Sequence, residues 1–85
     1  MNHLQKLQNL DLLDEQTLKA DGFDDAVIGI TRDKILVYSI EKTIQILMEE
    51  DMSEIDAIEH LDYNILGSYV GDYTPIFIYT TTEII

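Results

Sequence analysis

The sequence predicts an α+β fold: a small antiparallel sheet of about three strands covered by two helices, preceded by a short helical N-terminal segment. Three observations predict it. Short β-rich runs, "DDAVIGI" and "ILVY", lie close together and are separated by the polar "TRDK". Two stretches with helical spacing follow, each opened by a serine. A final apolar run, "IFIYT", comes directly after the only proline. Runs of strands and helices in this order place helices on one face of a sheet.

The elements follow in order. "LQKLQNLDLLDEQTLKA" carries Leu4, Leu7, Leu10 and Leu13 every three residues. That spacing drifts around a helix of 3.6 residues per turn, so it predicts one broken helix or two short ones within 1–20. "DG" at Asp21–Gly22 marks a turn. Strands over Ala26 to Ile30 and Ile35 to Tyr38 then read as a hairpin. Ser39 is the expected N-cap of a helix whose Ile40, Ile44, Leu47 and Met48 fall at i, i+4, i+7 and i+8. "SEID" places Ser53 and Asp56 at the spacing of a capping box, with Ile55, Ile58, Leu61 and Ile65 on the apolar side of a helix fading between Asn64 and Tyr69. Thr74, restricted by Pro75, ends that region and introduces the third strand.

With 85 residues, 46% of them hydrophobic, one core and one domain over 1–85 are expected, with 21–80 as the α+β part. There is no cysteine, which removes disulfides and thiolate chemistry together. A small core without staples points to a homo-oligomer, as do the leucines of the first segment and the apolar ending "TTTEII". No apolar stretch reaches membrane-spanning length and no signal-peptide pattern opens the chain, so a cytoplasmic protein is expected.

Charge is the strongest compositional fact. The net charge is -12, from 17 acids and 5 bases. Residues 1–42 hold all five bases against eight acids; residues 43–85 hold nine acids and no lysine or arginine. Seven of those nine lie in "EEDMSEIDAIEHLD". Such a field repels phosphates, so neither nucleic acid nor an anionic membrane is an expected partner.

Catalytic chemistry has few candidates. The two histidines are His3, near the N-terminus, and His60, in the acidic helix. Ser39, Ser53 and Ser68 lack an activating motif. A carboxylate pair for glycosidase-like work is nearly inevitable by chance among 17 acids. Asp56 and His60 share a helix face and have metal-ligand spacing with Glu59 nearby, but the same spacing serves a solvated surface pair. The acidic run lacks the glycine and alternation of an EF-hand, and "GSYVG" lacks the lysine of a phosphate loop. No enzyme activity, metal or cofactor is expected.

Two candidate binding regions remain. One is the acidic helix, with Glu54, Glu59 and Asp62, read either as a solvated face or as a surface for a basic protein partner. The other is the turn from Tyr63 to Thr74, with Tyr69, Asp72, Tyr73 and Thr74 as partner-binding residues or, alternatively, as the wall of a pocket for a small neutral or cationic ligand.

The segments "DGFDDAVIG", "VYSIEKTIQILMEED" and "YNILGSYVGDYTPIFI" together resemble a group of short proteins encoded by phages and bacterial genomes. The group shares an "EK.IQIL" helix, an acidic helix and a closing "N..G.YVG..TPIF" segment. The resemblance covers roughly residues 21–79. Ser39 stands where the pattern has an acidic residue; both cap a helix. The resemblance supplies no activity. It implies a phage-type accessory or inhibitor that acts by binding another protein.

Overall fold

The computed structural model describes residues 2–65 and 70–80. Helix α1 is His3–Asn9, followed after an irregular stretch by a 3-10 turn, Asp24–Ala26. Strands β1 (Val27–Ile30) and β2 (Leu36–Ser39) lead into α2 (Ile40–Glu49) and α3 (Glu54–His60). A π-helical turn, Leu61–Ile65, extends α3, and β3 is Ile76–Ile78. The sheet order is β1-β2-β3. The fold is therefore α+β with a small three-stranded sheet, as the sequence predicts.

The sheet is mixed rather than wholly antiparallel. β1 and β2 form the expected hairpin, with Val27 opposite Tyr38 and Ile30 opposite Leu36. Its turn is closed by Lys34 N–H donating to the Thr31 carbonyl, and Lys34 takes a left-handed φ of 68°, the three-residue hairpin geometry. β3 instead pairs parallel to β2, with Phe77 beside Tyr38. The connection from Ser39 to Ile76 contains both α2 and α3, and a helical crossover of that length returns the chain to the starting end of the sheet.

Register and pleat sort the strands into two faces. Val27, Ile30, Leu36, Tyr38 and Phe77 share one; Gly29, Val37, Ile76 and Ile78 share the other. The first is the core face, packed against Leu4, Leu7, Leu13, Ala20 and Phe23 and reached by Ile46 of α2. The expected cover of two helices is thus corrected. α1 and the irregular segment after it cover the sheet, while α3 packs mainly on α2. The N-terminal segment is part of the core rather than a prelude to it.

The helical reading of 1–20 holds only over α1. Asn2 and Gln5 form a reciprocal capping box, and Asn2 Nδ2 donates to Asp25 Oδ1 at 3.1 Å, tying the helix to the 3-10 turn. The helix then stops in a Schellman arrangement: Leu12 N–H donates to the Leu7 carbonyl and Asp11 N–H to that of Gln8, with Asp11 at φ 57°. Each three-residue step between leucines lags the helix by about 60°, so Leu4 is buried and Leu10 is exposed.

Tyr38 is the hub of the covered face. It is fully buried, stacks on Phe77 with ring centroids 4.9 Å apart, and its hydroxyl accepts the Ala20 N–H at 2.8 Å. One side chain of the central strand thereby holds an edge strand and the irregular N-terminal segment together. Burial raises the Tyr38 pKa, with the negative charges of Asp24 and Asp21 acting in the same direction and the Ala20 N–H opposing them.

Candidate functional site

Helices α2 and α3 begin as the sequence dictates. Ser39 Oγ accepts Lys42 N–H and lies 2.8 Å from Thr80 Oγ1; Ser53 Oγ accepts Asp56 N–H. The faces they bury differ from the expected ones. On α2 the buried positions are Ile40, Thr43 and Leu47, and on α3 and its extension Ala57 and Leu61. Thr43 is tolerated in the interior because its hydroxyl donates to the Ser39 carbonyl four residues back at 2.8 Å. Met48 at 41%, Ile58 at 40% and Ile55 at 70% remain exposed.

The physical reason is the width of the apolar arc. From Ile46 through Ile40 to Met48, apolar side chains cover about 200° of α2, twice the roughly 100° that one contact needs. The core takes one half. The other half, together with α3, lines a groove of about 310 Å³ bounded by Glu41, Ile44, Gln45, Met48, Glu54 and Ile58. Ile44, Met48 and Ile58 supply its apolar lining, with a carboxylate from the first turn of each helix.

The charged residues that line this groove, Glu41 and Glu54, are both acidic. Glu41, Glu49, Glu50, Asp51, Glu54, Asp56, Glu59 and Asp62 are all exposed. Among the described residues the ion pair formed is Lys19–Asp24, elsewhere on the molecule. Glu41 is held by a hydrogen bond, both its oxygens accepting Thr80 N–H at 2.9 Å. Glu49, Glu50 and Asp51 crowd the C-terminal end of α2, where the helix dipole disfavours negative charge by about 0.3–1 kcal/mol each. Asp51 also adopts φ 72°, a conformation that glycine takes at less cost.

The predicted site residues do not form one site. Glu54 lines the groove, while Glu59 and Asp62 stand exposed further along the same helix and its extension. Asp72 and Tyr73 instead border a shallow depression of about 410 Å³ beside Asp33 and Lys34 of the hairpin turn. Thr74 knits the turn, its hydroxyl accepting Val70 N–H and donating to the Gly71 carbonyl. Gly71, at φ 111°, supplies the conformation this turn requires. Tyr69 lies outside the described residues, as do Gly67 and Ser68.

Thr74 also lines a separate cleft of about 250 Å³, with Asn64, Ile65, Val70 and Pro75 on one side and Lys19 to Phe23 on the other. That volume is below the roughly 300–1,000 Å³ of ordinary small-molecule sites. His60 Nδ1 lies 3.3 Å from Asn64 Nδ2, so its partner in the structure is Asn64, on the next turn, rather than Asp56. Among the described residues no three carboxylate or imidazole groups gather to hold a metal ion, and no helix is long and apolar enough to cross a membrane.

The sequence pattern places Ile44, Met48 and Ile58 on the apolar sides of the two helices and does not reveal the groove they line. Its available signal was the excess breadth of the α2 apolar arc. The chain matches no protein-family model, no curated protein and no solved structure.

Proposed function

We propose that this protein is a non-enzymatic interaction module of the cytoplasm that presents the α2–α3 face to a basic surface on a partner protein. A single observation carries the proposal. The α2–α3 unit exposes eight carboxylates, of which Glu41 and Glu54 line an apolar groove, and none of the eight forms an ion pair among the described residues. Three of them are kept where the helix dipole and, at Asp51, the backbone conformation work against stability. Solubility alone needs acids, but not at those positions. Complementary charge speeds encounter and rejects anionic competitors. The resemblance to short phage and bacterial proteins favours an accessory or inhibitor role. A second copy has its own place to dock, the sheet face of Val37, Ile76 and Ile78, where the two isoleucines are exposed.

The test is a pull-down from bacterial lysate at low and high salt, with the parent and with a Glu54→Gln, Glu59→Gln, Asp62→Asn variant. A basic protein retained at low salt by the parent and lost from the variant is the expected result. Identical capture by both, insensitive to salt, would remove the acidic face from the function.

The small-ligand reading rests on the cleft between the 64–75 region and Lys19 to Phe23. Asp21 at its wall suits a neutral or cationic ligand. A Thr74→Val variant that loses a thermal shift shown by the parent with such a compound would favour it.

A further inference from the structure

The groove between α2 and α3 has a shape and a charge pattern that narrow the partner further. Ile44 and Met48 are one helical turn apart on α2, and Ile58 faces the same groove from α3. Met48 offers a flexible thioether that adapts to an incoming apolar side chain. Glu41 and Met48 are seven residues apart, about 10 Å along the axis. Because only Glu50 to Ser53 separate the helices, Glu54 lies towards the Met48 end. The groove from Glu41 to Met48 is therefore about two helical turns long, with a carboxylate towards each end and one turn of apolar lining between Ile44 and Met48.

We infer that this groove takes a short amphipathic helix bearing lysine or arginine on both sides of an apolar i, i+4, i+7 stripe. The inference rests on the proposed acidic interaction face and names the chemistry of its partner. Grooves between two helices accept a third helix through such anchors, and the spacing of Ile44 and Met48 matches one turn of it. The flanking cations would meet Glu41 and Glu54. Thr80 N–H holds Glu41 in place and leaves its oxygens with acceptor capacity for a cation. The chain's own nearby cation, Lys42, points about 160° around α2 from Ile44 and borders a different depression with Asp25 and Glu49.

A second copy of this chain does not supply the occupant. α1 carries a single lysine, Lys6, and its Leu4 is buried in the core, while α2 and α3 are acidic. No described helix combines a basic character with a free apolar stripe. Nucleic acid and anionic membrane lack the positive charge.

The experiment is titration of the full chain with a synthetic helical peptide of about 14 residues, leucines at i, i+4 and i+7 in a lysine–alanine background, followed by fluorescence anisotropy. Controls are the same composition scrambled off one face and the same pattern with glutamate for lysine. The expected result is saturable binding, weakened about tenfold or more by scrambling and by Met48→Asp or Ile58→Gln, unchanged by Gln16→Asp on the exposed stretch after α1, and reduced as salt rises from roughly 50 to 500 mM. Circular dichroism of each variant must match the parent, and the two groove substitutions guard against the failure of either one to fold.

Equal binding of the scrambled peptide would overturn the inference, leaving nonspecific charge attraction. So would binding seen only when the chain ends at Thr80, which makes its own last residues the occupant, or a dimer abolished by Met48→Asp, which makes a second copy the occupant. If the peptide fails to bind while the acid-neutralised variant still loses a basic protein from lysate, the helix falls and the acidic-face function stands. If neither responds, both fall.

Discussion

The covered face of the sheet and the outer stripe of α2–α3 are built from the same kinds of residue and meet opposite fates. On the sheet, Val27, Leu36 and Tyr38 are sealed beneath α1 and the segment that follows it. On the helices, Met48, Ile55 and Ile58 stay in contact with solvent. Nothing in residue type distinguishes the two. What differs is the supply of cover: the N-terminal segment lies over one face, and among the described residues no element lies over the other. An 85-residue chain has little surface to spare for closing a second apolar face. That open stripe carries Glu41 and Glu54 beside its apolar lining, and it is the surface on which the proposed function depends.

The largest expected effect tests the closed side. Tyr38→Ala removes the ring stacked on Phe77 and the acceptor for Ala20 N–H, and should cost about 3–5 kcal/mol in denaturant unfolding; a loss under about 1 kcal/mol would mean the sheet face is not the stabilising centre. Tyr38 also gives the closed side a distinctive pH response. Its folded pKa is raised by burial, while the unfolded phenol ionises near 10. Between those two values the folded chain keeps a proton that the unfolded chain has released, so stability is intact below about pH 10 and falls as pH rises through the folded pKa. Tyr38→Phe, though less stable for lack of the hydroxyl, should lose this alkaline component. An identical slope in both proteins would show that other groups dominate.

Much of the fold was legible from local chemistry. Ser39 and Ser53 as caps, the hairpin around "TRDK", and Pro75 at the entrance to the last strand are each set by residues within a few positions of one another. Long-range decisions were not. The parallel pairing of β3 depends on where two helices deliver the chain, and the burial of Leu4, Leu7 and Leu13 over the sheet depends on a segment whose own periodicity is poor. At the site, the acidic character of Glu54, Glu59 and Asp62 was visible in composition. The groove was not, because Ile44, Met48 and Ile58 satisfy the pattern for core positions, and only the packing decides which part of a wide apolar arc is covered.

The two capping serines sharpen the contrast at smaller magnitude. Ser39 is buried at the junction of β2 and α2, with its hydroxyl shared between Lys42 N–H and Thr80 Oγ1. Ser53 is exposed and caps only Asp56 N–H. Ser39→Ala should therefore cost about 1–2 kcal/mol and Ser53→Ala about 0.5–1 kcal/mol. Equal losses from thermal or denaturant unfolding would deny the difference in packing between the two sides.

Asp51→Gly should raise stability by about 0.5–1 kcal/mol, since glycine accepts the left-handed backbone and the change removes an acid from the negative end of α2. The same substitution should weaken capture of a basic partner. Such an exchange of function for stability is what a surface maintained for binding predicts. Stabilisation without any loss of capture would assign Asp51 to solubility alone.

The smallest expected effect is the most discriminating one for the open side. Ile55 is 70% exposed on the wall of α3, so Ile55→Gln exchanges one solvated side chain for another of similar length and helix propensity. Its effect on unfolding should stay within about 0.5 kcal/mol, whereas truncating a buried neighbour such as Leu61 to alanine should cost about 2–5 kcal/mol. Concentration should not alter this result if the groove is free in the unbound protein. A loss above about 1.5 kcal/mol that deepens on concentrating the protein would show Ile55 buried between copies, and the stripe would then be an assembly surface already filled rather than one awaiting a basic helix.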